Sequence, residues 1–399
     1  MQELHRSGKA HGFERIIAPM TPETFFAEYF EKKHLVIRRE DRAYYRDLLS
    51  IDDIDRALTT MVFDIDDLQM VNTGRPVPSD DYALPSGAVD AVRVTQHFSQ
   101  GATIILPGLH RKLPKLAAYC RALETVFSCD LQTNIYLTPD NAQGFKTHYD
   151  SHDVIVLQTH GTKTWRIYDS PMVLPLRSQA FRPEGFVAGN VIDEFVLRAG
   201  DMAYVPRGVV HDAIATVEVS LHITTGLLHQ RWIDVLVDTL VQYAHDDPAL
   251  RASIPAGFAN AGADLQSMGQ LLARHLNEAA AAIDPVAAMT RQANEFRTRR
   301  LPVVPGHFAQ FAAADLIAEG TRVALRDNLI WAIATAGDEV VLSVYEGEIA
   351  FPAYVEGALR AILGGEGFTV GALDCDLDAE GQAVLARRLV REGVLYRVD

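Results

Sequence analysis

Two stretches decide the fold: His148-Tyr149-Asp150-Ser151-His152-Asp153-Val154-Ile155-Val156, and Gly200-Asp201-Met202-Ala203-Tyr204-Val205-Pro206-Arg207-Gly208-Val209-Val210-His211. In the first, His148 and Asp150 are two apart, so on a strand they share a face and can reach one metal ion. In the second, Pro206-Arg207-Gly208 makes a turn in which proline fixes direction and glycine permits tight backbone geometry. That turn delivers His211 from a separate strand. Two neutral imidazoles and one carboxylate form a facial triad for non-haem iron and leave three adjacent coordination positions free. A structural zinc site, closed by four protein ligands, offers no such vacancies. The pattern therefore predicts an oxygenase.

The first stretch also holds rival ligands. Asp150-Ser151-His152 would share a strand face as well, and Asp153 lies close by. His148 and Asp150 are preferred because Val154 and Val156 continue the inward alternation from that pair. His110, His160, His222 and His229 read as core or surface histidines rather than metal ligands.

Working outward, short β-rich segments bounded by Gly, Pro, Asn and Asp run from about 68 to 227, the texture of a barrel or sandwich. They are Leu68 to Val71, Ala91 to Thr95, Ala102 to Leu106, Leu131 to Leu137, Val154 to Gln158, Lys163 to Tyr168, Glu194 to Leu197, Asp201 to Val205 and Val217 to Thr225. One helical insert, about Leu113 to Phe127, interrupts them. Residues 1 to about 15 read as frayed. A helix starts at Thr21-Pro22-Glu23, with Thr as cap, Pro in the first turn, and Phe25, Phe26, Tyr29 and Phe30 on one face. A short strand over Lys33 to Arg38 and a helix over Ile51 to Met61, capped by Ser50, follow.

After Leu228 the pattern is helical: Trp232, Val235, Leu236, Leu240 and Tyr243 fall at helical spacing, and Ala-rich helices run through Leu265 to Ala281 and Pro285 to Arg299. Such a block is either a subunit interface or a helical subdomain packed on its own chain. From 307 to 399 the order is a hairpin (Val340 to Tyr345, Glu348 to Phe351), a helix (Pro352 to Leu363), an extended piece (Phe368 to Val370), a helix (Asp378 to Glu392) and a strand (Val394 to Val398). This order resembles a winged helix. Arg387, Arg388 and Arg391 on its second helix favour a structural or protein-contact role over DNA binding, because the chain as a whole is acidic.

The 399 residues, 48% of them hydrophobic, suffice for two or three domains with a large core. A formal charge of -15 excludes a general phosphate-tracking nucleic-acid binder and accommodates a basic macromolecular partner. The densest acidic run, Asp52, Asp53, Asp55, Asp64, Asp66 and Asp67, reads as a solvated face around helix ends, with an Arg- or Lys-rich substrate as the alternative. Cys120, Cys129 and Cys375 show no metal or disulfide-framework spacing, which suits a reducing compartment. The Met1 to Gly8 segment has no apolar core, and no run reaches the ~18 apolar residues of a membrane span. A cytoplasmic protein is expected.

Gly200-x5-Pro206-x-Gly208-x2-His211 resembles the second cupin motif, with Ala215 where an Asn often closes it. His148-x-Asp150, followed by a strand ending at Gly161, resembles the first motif in its JmjC form. Over nearly the whole chain the layout is similar to the JmjC-type ribosomal oxygenases and related bacterial cupin proteins. The resemblance implies an α+β fold: a double-stranded β-helix barrel with N-terminal helices (1-227), a helical dimerisation domain (228-306) and a C-terminal winged-helix domain (307-399). It implies a hydroxylase of protein side chains, in several members on ribosomal proteins, using Fe(II), 2-oxoglutarate and dioxygen, and working as a homodimer. Lys163, in Gly161-Thr162-Lys163-Thr164-Trp165-Arg166, stands where a basic residue holds the distal carboxylate of 2-oxoglutarate. Asn134 matches a polar residue near that cosubstrate, Tyr136 becomes a substrate contact, and Thr224 and His222 line the barrel beside Lys163.

Two other readings remain at this stage. One is a tailoring hydroxylase of a natural-product peptide or an amino acid. The other is a non-catalytic cupin that binds or regulates through its C-terminal module, against which the intact ligand set and Lys163 argue.

Overall fold

The strands expected around the two motifs form in the computed structural model, which describes residues 12–140, 142, 146–169, 172–215, 218–345 and 347–398. They are β1 (Leu35–Ile37), β2 (Gln69–Asn72), β3 (Arg75–Pro76), β4 (Thr103–Pro107), β5 (Asp130–Thr138), β6 (Asp153–His160), β7 (Thr162–Tyr168), β8 (Val191–Arg198), β9 (Met202–Val205), β10 (His211–Ala215) and β11 (Ser220–Leu228). Val217, expected to open the last of these, lies outside the described residues. Eight strands form one sheet in the order β1-β9-β6-β11-β5-β4-β2-β3, and three form a second, β10-β7-β8. The chain passes from the large sheet to the small one at β6 to β7, returns at β8 to β9, and repeats the exchange at β10 and β11. This is the winding of a jelly roll.

Pairing register explains the core. On β6, Val154 and Val156 face Trp165 and Ile167 of β7, Phe195 and Leu197 of β8, Ala203 and Val205 of β9, and Ala213 of β10. Ile155 and Leu157, on the other face of β6, join a cluster with Phe13, Ile16, Phe25, Leu116, Tyr119 and Leu123 from helices on the outside of the large sheet. With both faces covered, β6 reads in the sequence as a continuous apolar run instead of an alternating one.

Those covering helices are α1 (Phe13–Ile17), α2 (Pro22–Glu28), α3 (Ile51–Thr60), α4 (Ala91–Ser99) and α5 (Pro114–Phe127). Thr21 caps α2 by accepting from the Thr24 N–H, and Ser50 and Asp53 cap α3 reciprocally. Two expectations are corrected. Ala91 to Thr95 is the start of α4, not a strand: the Asp90 carboxylate accepts from the Val92 and Arg93 N–H groups and so begins a helix that the β-branched composition masked. The N-terminal segment is ordered from Phe13, because Phe13 packs edge-on against Phe25 at 5.1 Å and Phe127 at 4.9 Å; residues 1–11 lie outside the described residues.

The chain divides into two compact units, one mainly of residues up to His229 and the other mainly of residues from Gln230 onward. The second unit contains helices α6 (Trp232–Asp246), α7 (Leu265–Ala282) and α8 (Pro285–Arg299), then β12 (Arg322–Leu325), β13 (Ala332–Ala336), β14 (Glu339–Val344), β15 (Gly347–Pro352), α9 (Glu356–Leu363), β16 (Gly367–Thr369), α10 (Ala379–Arg391) and β17 (Leu395–Arg397). β14 and β15 form the expected hairpin. Leu359, Ile362, Leu389 and Leu395 anchor this unit's own core. The arginines of α10 are paired with carboxylates: Arg387 with Glu380, Arg388 with Glu392, Arg391 with Asp315. The acidic run is likewise partly spent locally, Asp53 in the α3 cap and Asp67 against Lys112 at 3.0 Å. Among the described residues, no helix is long and apolar enough to cross a membrane.

Candidate active site

His148 and Asp150 lie just before β6 instead of on a regular strand, which corrects the expected setting but not the convergence. A single antiparallel bridge holds the two histidines together: His148 N–H donates to His211 O at 3.0 Å, and His211 N–H to His148 O at 2.8 Å. Gly208 N–H donates to Asp150 O at 2.9 Å. Gly208 has φ +81, and a Cβ there would sit 2.1 Å from Met172 O, so the turn requires glycine.

The ligand atoms of His148, Asp150 and His211 all lie within 4.8 Å of one another, and among the described residues they form the one cluster of this kind. Each imidazole directs Nδ1 at a backbone carbonyl, His148 at Lys146 O (2.9 Å) and His211 at Val209 O (3.0 Å). That contact keeps the proton on Nδ1 and turns the Nε2 lone pair toward the cluster. Burial, followed by the neighbouring His148, pulls His211 down to about 4, so it is neutral as a ligand must be. Trp165 stacks on the His211 ring at 5.8 Å, and Phe181 lies edge-on to His148 at 6.1 Å.

The rival ligands go elsewhere. Asp153 is fully buried and bound to Arg207, and the His152 ring lies over Gly226, where a Cβ would meet it at 2.6 Å. His110 bonds Thr133 Oγ1 at 2.9 Å and is pulled down to about 4 by burial.

Lys163 points into the barrel with Trp165 and Ile167, and is 1% exposed. Its ammonium donates to Thr138 Oγ1 at 3.4 Å and lies 5.9 Å from the Tyr136 ring centroid. Among the described residues, no carboxylate pairs with it, and burial pulls it down to about 7. On the facing wall the register sets Tyr136 opposite His222 and Asn134 opposite Thr224. The Tyr136 and His222 rings stack at 4.9 Å, and burial, then Lys163, hold His222 well below its ordinary value. Asn134 Oδ1, His222 Nδ1 and Trp165 Nε1 are buried without a hydrogen-bond partner. An unpaired cation and three orphaned polar atoms in one interior are costly unless a polar, anionic guest satisfies them. The donor set and this lining fit an Fe(II) ion with 2-oxoglutarate.

Several residues escaped the sequence reading. Thr138 holds Lys163, and continuing the alternation two residues past Tyr136 would have found it. Asp212 accepts from Arg166 Nε and Nη2 (2.9 Å each), Tyr168 Oη (2.7 Å) and Thr147 Oγ1 (2.9 Å). Burial alone would raise its carboxyl, but these donors hold it below the usual range. No local pattern announces this network.

The chain is similar to known proteins in sequence and in fold. A JmjC domain matches residues 109–235. The chain is 34% identical over 230 residues to the bifunctional lysine-specific demethylase and histidyl-hydroxylase NO66 of Dictyostelium discoideum, covering 55% of this chain and 44% of that protein. It is 34% identical over 257 residues to ribosomal oxygenase 2 of Bos taurus, covering 61% and 54% respectively. The chain thus spans about half the length of these relatives. Among solved structures, the Escherichia coli ribosomal oxygenase YcfD superposes with TM-score 0.54 at 18% identity, covering 95% of this chain and 98% of that one. The same protein in complex with cobalt and 2-oxoglutarate gives TM-score 0.52 at 18% identity, with 96% and 99% covered. This likeness establishes a shared JmjC/cupin fold.

Proposed function

From the premise that the chain carries a JmjC domain and is homologous to NO66 and ribosomal oxygenase 2, we propose an Fe(II)- and 2-oxoglutarate-dependent oxygenase that hydroxylates a side chain of a protein substrate. The observation that carries it is Lys163, a buried ammonium with no carboxylate partner among the described residues, in the same barrel as the His148, Asp150, His211 cluster. A cosubstrate dicarboxylate supplies the missing charge at Lys163 while the cluster takes its other end. The relatives' names, ribosomal oxygenase and histidyl-hydroxylase, support a ribosomal protein as the substrate class. The charge of -15 suits the basic character of such a partner.

In this reading His148, Asp150 and His211 hold the iron, the imidazoles through Nε2. Bound Fe(II) and 2-oxoglutarate supply oxidation by dioxygen, with succinate and carbon dioxide as coproducts. Lys163, braced by Thr138, binds the distal carboxylate. Asn134, His222 and Thr224 line the cosubstrate chamber, and Tyr136 meets the substrate. Trp165, packed against His211, keeps water from the histidine's inner face.

The accessory regions take the division 1-227, 228-306 and 307-399, with the last a winged-helix domain. A homodimer formed through the helical block is supported by the apolar face of α6, where Trp232 is 76% exposed, Leu236 stands four residues on, and Ile233 and Val237 form a second such pair. A cytoplasmic location accords with the free cysteines.

Anaerobic titration with Fe(II) and 2-oxoglutarate tests the core of the reading. A metal-to-ligand charge-transfer band is expected, lost in His148→Ala and Asp150→Ala. No band, and no succinate under air, would overturn it. Comparing proteins of a deletion strain for a lost mass of one oxygen atom tests the substrate class.

A further inference from the structure

The candidate metal ligands arrive on two separate pieces of chain, and a charged cluster outside the ligand set spans those pieces beside the backbone bridge. Asp153, three residues past Asp150, and Arg207, four before His211, meet twice. The Arg207 N–H donates to Asp153 Oδ1 at 2.8 Å, and its Nη1 donates to Oδ2 at 3.0 Å. Asp153 is 0% exposed and the Arg207 side chain 8%, so the pair sits where water does not compete.

Two further groups close around it. His229 Nε2 lies 3.4 Å from Asp153 Oδ2, and the His229 ring is covered by Phe30 at 5.1 Å and Phe127 at 5.9 Å. Glu31, in the turn that follows α2, pairs with Arg207 Nη1. Glu31 is itself held in a left-handed turn, φ 56, with its N–H donating to Tyr204 Oη at 2.9 Å. The guanidinium is thereby tied to β6 and to the turn that follows α2 at once.

We propose that the Arg207–Asp153 pair, completed by Glu31, is a positioning clamp for the metal site: it sets the separation between the segment bearing His148 and Asp150 and the turn bearing His211. Neither residue belongs to the candidate ligand cluster. They act through Gly208, next to Arg207, which bonds Asp150 O, and through the backbone bridge between the two histidines. A ligand set held on two chain segments binds tightly only if the segments are fixed before the metal arrives, since otherwise binding must order them. Partners that orient ligands from outside the coordination sphere typically change metal affinity by about 10–100-fold.

The inference rests on the metal site proposed above, and metal affinity tests both separately. Co(II) binding is measured on the full chain by calorimetry and by the visible spectrum of the bound ion. Asp153→Asn keeps an acceptor for the Arg207 N–H but removes the charge. Arg207→Lys keeps the charge but not the fork, and serves if the first variant does not fold. Leu123→Ala, in the helix-side core, is the control for general destabilisation. The clamp predicts that Asp153→Asn or Arg207→Lys weakens Co(II) binding by roughly tenfold or more and shifts its spectrum, while Leu123→Ala lowers the melting temperature and leaves the Co(II) Kd within about twofold, in line with additivity of separated sites. An unchanged Kd in the clamp variants, or a loss that tracks melting temperature equally in Leu123→Ala, overturns the clamp alone. No Co(II) binding by the unmodified protein overturns the metal site and the clamp with it.

Discussion

Lys163 and Arg207 are both buried cations of one barrel, yet Arg207 has Asp153 and Glu31 beside it, whereas Lys163 has the Thr138 hydroxyl and the Tyr136 ring and, among the described residues, no carboxylate. A buried charge that the fold has paired is part of the structure's own accounting. One left with no carboxylate among the described residues raises the energy of the folded state, and such a cost persists where a ligand repays it. The contrast separates scaffold from chamber within a few strands, and substitution of each cation by an apolar residue of similar length tests it. Arg207→Met leaves Asp153 buried without its guanidinium partner and should cost about 3–5 kcal/mol in urea unfolding. Lys163→Met removes an unpaired charge and should leave the ligand-free protein as stable or more stable. If the two substitutions cost the same, the contrast is broken.

Titration sharpens it. The ordinary ammonium value is 10.5, and burial brings Lys163 down to about 7 in the ligand-free fold. Between those values the unfolded chain binds a proton that the folded chain has released, so this lysine's contribution makes stability rise with pH across that window; below about 7 both states are protonated and its cost is constant and greatest. Binding of a dianion requires the charged ammonium, so above about pH 7 binding must take up a proton, and 2-oxoglutarate affinity should fall by up to about tenfold per pH unit. Calorimetry from about pH 6.5 to about 8.5, in buffers of different ionisation enthalpy, reads both the affinity and the proton count. Lys163→Met should bind weakly with no such slope; a slope that survives the substitution assigns the titration to another group.

How much of this could be read from residue order follows the same division. The His-x-Asp spacing and the Pro-x-Gly turn pointed to the clustering of His148, Asp150 and His211, because a shared site demands particular residue types at particular offsets. Lys163 was singled out by the resemblance that Gly161-Thr162-Lys163-Thr164-Trp165-Arg166 carries, and the alternation of β7 alone left its direction open across the turn before it; in the fold it is buried. The partners of Asp153 and Asp212 stayed hidden, since Arg207 is 54 residues away and becomes a neighbour only through strand order. Ala91 to Thr95 was misread because one Asp cap outweighs β-branched propensity, and the Phe13 helix because its order comes from aromatic packing against distant residues. Ala332 to Ala336 forms β13 by pairing with β14, with an alanine-rich sequence that carries little strand signal of its own.

The smallest effect provides the baseline for the others. Ser50 and Asp53 close the first turn of α3: the Asp53 N–H donates to Ser50 Oγ at 3.2 Å, and the Ser50 N–H donates to Asp53 Oδ2 at 3.0 Å. Ser50→Ala removes one acceptor at a helix start and should cost about 1 kcal/mol. Its hydrogen bonds are local and involve no group of the chamber or the clamp, so Co(II) and 2-oxoglutarate affinities should not move while the urea midpoint falls. If they do fall with the midpoint, site affinity simply follows global stability in this chain. The separation drawn between a paired cation that positions and an unpaired one that binds would then have no energetic basis.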